Sequence, residues 1–175
     1  EGRKEFQKAV ELSRDQEQVK LALADRYVAL GRRDDAEQEL AGLIADTNSY
    51  KSRKALAELK LAAGQVAETK PLVSAILEAD EHDPVGIYLK GRIALAENDV
   101  PQAVSLFEEA IGRNAALAGP HLYLGLARLA QGRADPAEEE LREAIRIQPD
   151  NEAAHLALAK LYLAQQKPAE AEKEA

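Results

Sequence analysis

Residues 118–151 read AGPHLYLGLARLAQGRADPAEEELREAIRIQPDN, and the packing these side chains demand decides the fold. Gly125 and Ala137 are small enough to let two helices approach closely, while Leu124 and Leu141 are large enough to fill the seam. Gly132 reads as a left-handed cap that ends the first helix. Asp135, Pro136 and Glu138 then read as an N-cap, a first-turn proline and the return arm of a capping box. Pro149 stops the second helix. The stretch specifies a helix–turn–helix hairpin.

The same hairpin recurs along the chain. The turn residues Gly31, Gly64, Asn98, Gly132 and Gln166 lie 33, 34, 34 and 34 apart, and the small residues Ala36, Thr69, Ala103, Ala137 and Ala171 repeat those intervals. Two independent positions in register five times make the period secure. It divides the chain into a half repeat at 2–16, full repeats at 17–49, 50–83, 84–117 and 118–151, and a truncated repeat at 152–175. Phe6 and Ala9 keep the separation of Leu141 and Ala144, so the half repeat is a second helix. Asp34 with Glu37 predicts another capping box, and Asp83–Pro84 a cap followed by a first-position proline. The second hairpin is the least regular: Lys60 replaces the equivalent of Tyr27, Thr69 replaces Ala, and Pro71 predicts a local irregularity between Val66 and Pro71. With no initiator Met and with ends inside repeats, the sequence reads as a piece of a longer protein.

This pattern resembles the tetratricopeptide repeat (TPR), which asks for a bulky residue, Leu and a small residue, an aromatic, a Gly turn, Ala, a large apolar residue, Ala and Pro. His121, Leu124, Gly125, Arg128, Gly132, Ala137, Leu141, Ala144 and Pro149 occupy those places. His121 stands where the family has Trp, and Arg128 replaces the aromatic; neither breaks the helical period. The resemblance covers essentially the whole chain. It implies an all-α fold, a right-handed superhelical solenoid of antiparallel helix hairpins whose first helices line a concave groove, and with it a protein–protein interaction scaffold. The Ala-, Leu- and Arg-rich style is similar to that of long bacterial TPR proteins of envelope assembly and exopolysaccharide export, which inclines the localisation toward the periplasm or cell envelope.

Composition agrees. Of 175 residues, 46% are hydrophobic but only 4% aromatic, so the apolar mass is Ala and Leu, suited to packed helices. There is no Cys, which removes disulfides, zinc thiolates and cysteine catalysis. With 23 basic and 31 acidic residues the net charge is −8, against nucleic acid as a partner. No apolar run reaches the roughly 18–20 residues of a membrane span. No Gly-rich phosphate loop, nucleophile elbow or metal-spaced cluster is present, so neither an enzyme nor a cofactor is expected.

Helical spacing places the groove-lining residues. They are Gln18, Leu21, Asp25 and Val28 in the first hairpin, and Lys51, Lys54, Glu58 and Leu61 in the second. The third gives Val85, Tyr88, Arg92 and Leu95, the fourth Gly119, Leu122, Leu126 and Leu129, and the fifth Ala153, Leu156, Lys160 and Leu163. From these, Asp25, Lys54, Glu58, Tyr88, Arg92, Leu122, Leu126 and Lys160 are the candidate contacts for a partner peptide or helix, with Tyr88 and Arg92 as anchors. The competing reading buries the leucines between adjacent helices. The carboxylate grip of chaperone-binding TPR proteins is not matched: Leu21, Asp25, Ala55, Val85 and Leu89 stand at the corresponding faces. His121 and His155, 34 apart, read as packing residues, and His82 as a solvated loop residue. Raw ends, with Phe6 and Val10 at one and Leu158 and Tyr162 at the other partly uncovered, predict fraying or end-to-end self-association.

Overall fold

The computed structural model describes residues 16–174. Among the described residues there are ten helices and no strand: α1 (Gln16–Ala29), α2 (Arg33–Thr47), α3 (Tyr50–Ala62), α4 (Val66–Ala79), α5 (Pro84–Ala96), α6 (Val100–Arg113), α7 (Ala118–Ala130), α8 (Ala134–Ile147), α9 (Glu152–Ala164) and α10 (Pro168–Lys173). The expected half repeat, with Phe6 and Val10, lies outside the described residues apart from Gln16, which opens α1. The chain forms two compact units, divided after Ile76 within α4.

In the first unit α1 packs on α2 and α2 on α3. Leu23, Ala24, Tyr27, Ala36, Leu40, Leu56 and Leu59 make its core. Ser49 fixes the entry to α3, accepting from the Ser52 amide at 3.0 Å and donating to Glu17 at 2.6 Å. In the second unit α5 pairs with α6 and α7 with α8, and each second helix also packs on the next first helix, α6 on α7 and α8 on α9. Because α5 touches α7 and α7 touches α9, the first helices share one layer, with the second helices behind it.

The five predicted turns have one geometry. Gly31, Gly64, Asn98, Gly132 and Gln166 all lie in the left-handed region, at φ 69°, 75°, 65°, 74° and 60°. The amide that follows each one reaches back five residues: Arg32 to the Tyr27 carbonyl, Gln65 to Lys60, Asp99 to Ala94, Arg133 to Arg128 and Lys167 to Tyr162, all at 2.8–2.9 Å. This is the Schellman closure of a helix C-terminus, and it holds whether the turn residue is Gly or not. The close approach predicted for the hairpins is equally plain. A Cβ on Gly91 would sit 2.6 Å from Phe107 Cε1, and one on Gly125 would sit 2.9 Å from Leu141 Cγ.

Several sequence expectations are corrected. The capping boxes of α2 and α8 do not form: α2 starts at Arg33 and α8 at Ala134, straight after the left-handed turn, with no side-chain cap. Asp34 and Asp135 therefore lie in first turns, where they complement the helix dipole. Asp83 does cap α5, accepting from the Gly86 amide at 2.7 Å ahead of Pro84. α4 runs uninterrupted through Pro71. Pro71 and Ala67 both face solvent, so the ring meets no neighbour and the freed carbonyl reaches water. Leu158 and Tyr162 are buried rather than uncovered, because they point back into the α8 side of their own core.

Candidate partner-binding face

The eight candidate residues fall in different units. In the first unit Asp25 and Glu58 are exposed, and Lys54 is half-buried with its ammonium 4.2 Å from the Tyr50 ring centroid. The other five belong to the first-helix layer of the second unit. Because α5, α7 and α9 are stacked copies, residues 34 apart occupy matching places on them. Arg92, Leu126 and Lys160 form one row, and Leu95, Leu129 and Leu163 the next.

Two expected contacts turn out to be core. Tyr88 is 7% exposed, its ring tilted against Phe107 and Tyr123 at centroid distances of 6.2 and 5.8 Å. Gly119 leaves the room for it: a Cβ there would lie 2.9 Å from Tyr88 Cζ. Leu122 is 7% exposed because it joins Ala154, Ala157, Leu158 and Leu161 of α9 in one core. Leu126 and Leu129 pack on the rim of that core, half-buried. What remains open lies at the two edges of the layer. Leu156 and Leu163 on α9 are 56% and 59% exposed, with Lys160 exposed between them. On α5, Arg92 is half-buried, its guanidinium 4.4 Å from the Tyr123 centroid and 5.7 Å from that of Tyr88, and it donates a long 3.4 Å hydrogen bond to the Tyr88 hydroxyl.

Behind this face a polar ladder replaces the missing aromatics. Four residues before each turn stand Tyr27, Lys60, Ala94, Arg128 and Tyr162. Lys60 pairs with Glu37 of α2 at 3.0 Å and Glu68 of α4 at 2.6 Å. The Glu68 hydrogen bond, against some loss from burial, raises its pKa. Arg128 pairs with Glu108 of α6 at 3.2 Å and Glu140 of α8 at 2.9 Å. Tyr162 donates to Glu138 at 3.1 Å and accepts from Arg142 at 2.8 Å; burial raises its phenol.

The histidines are part of the same repeat. His121 Nδ1 meets Glu140 at 2.7 Å and Nε2 the Ala115 carbonyl at 3.3 Å. His155 Nδ1 meets Glu174 at 2.7 Å and Nε2 the Pro149 carbonyl at 3.0 Å. That carbonyl first, and Glu174 second, raise the His155 pKa. His155, Glu174, Leu156, Ala159, Asp150, Glu152 and Lys173 line an open cleft of about 590 Å³ between α9 and α10.

Comparison with known proteins agrees with this geometry. Tetratricopeptide repeat family models match residues 18–41 and 128–175. A crystal structure of a thermophilic TPR protein from Thermus thermophilus superposes with a TM-score of 0.77 at 24% identity, over 90% of this chain and 87% of that one. Both ends of the chain carry tetratricopeptide repeats, and the fold is that of a TPR array. The TPR fold also matches the crystal structure of the APC/C hetero-tetramer Cut9–Hcn1, with a TM-score of 0.79 at 17% identity over 98% of this chain and 35% of that one. MamA from Desulfovibrio magneticus RS-1 gives 0.57 at 16%, over 90% and 89%. No curated protein sequence matches this TPR chain. No helix among its described residues is long and apolar enough to cross a membrane.

The sequence reading missed Tyr123, which holds Arg92, and the glutamates Glu140 and Glu174 that hold the histidines. The second omission had a signal, since His and Glu recur together 19 residues apart in consecutive TPR hairpins.

Proposed function

We propose that this TPR protein is a protein-interaction scaffold whose working surface is the first-helix face of residues 77–175. The observation that carries the reading is the apolar row of Leu95, Leu129 and Leu163 at matching places of α5, α7 and α9, with Arg92 held on the Tyr123 ring beside it. Burying each exposed leucine is worth about 1.5–3 kcal/mol, which a docked helix or peptide gains. Half-buried Leu126 and Leu129 continue the apolar strip toward Arg92. The test is capture from source-cell lysate with the wild type beside Leu163→Asp, a substitution at an exposed position that leaves folding intact by circular dichroism. A protein held by the wild type and lost from the folded variant supports the reading, and identical captured sets reject it.

A second reading, a spacer or self-association module of a bacterial envelope or exopolysaccharide-export assembly, is favoured by the open cleft beside Leu156. It predicts that Leu156→Asp lowers the sedimentation-derived mass of the isolated chain. A monomeric wild type would dismiss self-association.

A further inference from the structure

Resting on the scaffold reading, we infer that the first-helix face of residues 77–175 takes an acidic, leucine-bearing segment whose carboxylates meet Arg92 and Lys160. All of the −8 net charge falls in this unit, where eighteen acidic residues stand against ten basic ones. Yet the inner positions of α5, α7 and α9 carry no acidic residue, and the two charges they do carry, Arg92 and Lys160, are positive. Asp150, Glu152 and Glu174 line the cleft beside Leu156, toward the other end of α9 from Leu163. Along the row of Arg92, Leu126 and Lys160 the local sign is the reverse of the sign of the whole unit.

Among the described residues, Arg92 and Lys160 have no carboxylate in salt-bridge reach, as is also true of Lys90, Arg133, Lys167 and Lys173, but Arg92 and Lys160 alone of these six stand at the inner positions. Arg92 is also pre-positioned. Its guanidinium is stacked on Tyr123 and touches the Tyr88 hydroxyl, so little side-chain freedom remains to be lost when a planar carboxylate arrives. A second copy docking α9 on α9 with antiparallel axes would set Leu156 on Leu163 but bring the two Lys160 ammoniums together. That repulsion disfavours the chain as its own occupant and favours a segment of opposite charge.

The repeat also sets the spacing. Packed helices lie about 8–10 Å apart, so Arg92 and Lys160, with α7 between them, are separated by roughly 20 Å. A helical occupant covers that distance in about 13–14 residues and an extended one in about 6. Between its two carboxylates it carries apolar side chains for the Leu95, Leu129 and Leu163 row.

The experiment is selection of a displayed library of random 20-residue peptides on the immobilised chain, run in parallel on the Arg92→Glu/Lys160→Glu variant. Asp- and Glu-rich, Leu-containing peptides enriched on the wild type, giving way to Lys- and Arg-rich ones on the variant, is the expected result; a merely structural role for the cations would not reverse the sign. For the enriched peptides, Arg92→Gln and Lys160→Gln each weaken binding about three- to five-fold, and added salt erases the difference. Leucine-rich peptides with no charge bias, or the same peptides on both proteins, overturn the acidic occupant and leave the scaffold reading standing. No enrichment on the wild type overturns both. A change in sedimentation of the chain alone on charge reversal shows a second copy on the face and overturns the inference. If the double variant fails to fold, Lys160→Glu alone, at an exposed position, carries the same reversal in weaker form.

Discussion

Arg128 shows how much of this protein depends on single side chains with partners on two helices. Its guanidinium is held by Glu108 and Glu140 with only 15% of the side chain exposed. Arg128→Ala leaves Glu140, itself mostly covered, without that cation and should cost about 2 kcal/mol, between the exposed and the buried limits for such pairs, read as a lower urea midpoint. His155 makes a pH prediction. Its pKa is raised in the folded chain by the Pro149 carbonyl and Glu174. The stabilisation is therefore fully present below the ordinary value of 6.5 and is lost as pH rises through the higher folded value. Hydrogen exchange in α10, next to Glu174, should speed up across that window in the wild type beyond the intrinsic pH effect, and His155→Gln should remove the excess. A wild type and variant with the same pH profile would reject it. At this scale the sequence was only partly legible. Position and period identified Arg128 and both histidines, but their partners come from other helices and follow no local rule. Tyr88 looked like an anchor by helical spacing alone; the absence of a side chain at Gly119, one hairpin on, is what lets its ring lie down into the core.

The helices themselves were read closely from the sequence because their ends are governed by backbone geometry. A helix-ending turn was predicted at five places, left-handed at Gly132, and all five are left-handed, two of them without glycine. Asn tolerates that conformation; Gln gains little from it. Gln166→Gly should accordingly stabilise the α9–α10 hairpin by about 0.5–1 kcal/mol in thermal denaturation, and Asn98→Gly should give less. A destabilised Gln166→Gly would mean that the turn residue contributes through its side chain. The helix starts were less legible, since Asp34 and Asp135 have cap chemistry but each stands two residues too late. The turn before them already commits the chain to helix, so the cap position falls on Arg32 and Arg133.

At the scale of the whole molecule, equivalent residues have unequal fates. Leu122 and Leu156 occupy the same place in consecutive hairpins, yet one is buried by the next helix and the other is open. Periodicity reports the place and not the cover, which is why the inner face was legible as a strip but not in its open and closed parts. Charge is distributed just as unevenly. With a pI near 5.0 and the net charge carried by residues 77–175, solubility should pass through a minimum near pH 5 and recover above pH 6.5, as followed by light scattering. The polar ladder bears on the history of the chain. Lys60 is matched to Glu37, Arg128 to Glu108 and Tyr162 to Glu138, each partner lying in the hairpin before. A repeat moved elsewhere keeps the glutamate of its own hairpin, Glu68 for Lys60 and Glu140 for Arg128, but loses its predecessor's unless the new predecessor carries an acid at the same place, as the first and fourth hairpins do with Glu37 and Glu138. The hairpins look alike in outline, but which one can follow which is narrowed by the chemistry at these three joints.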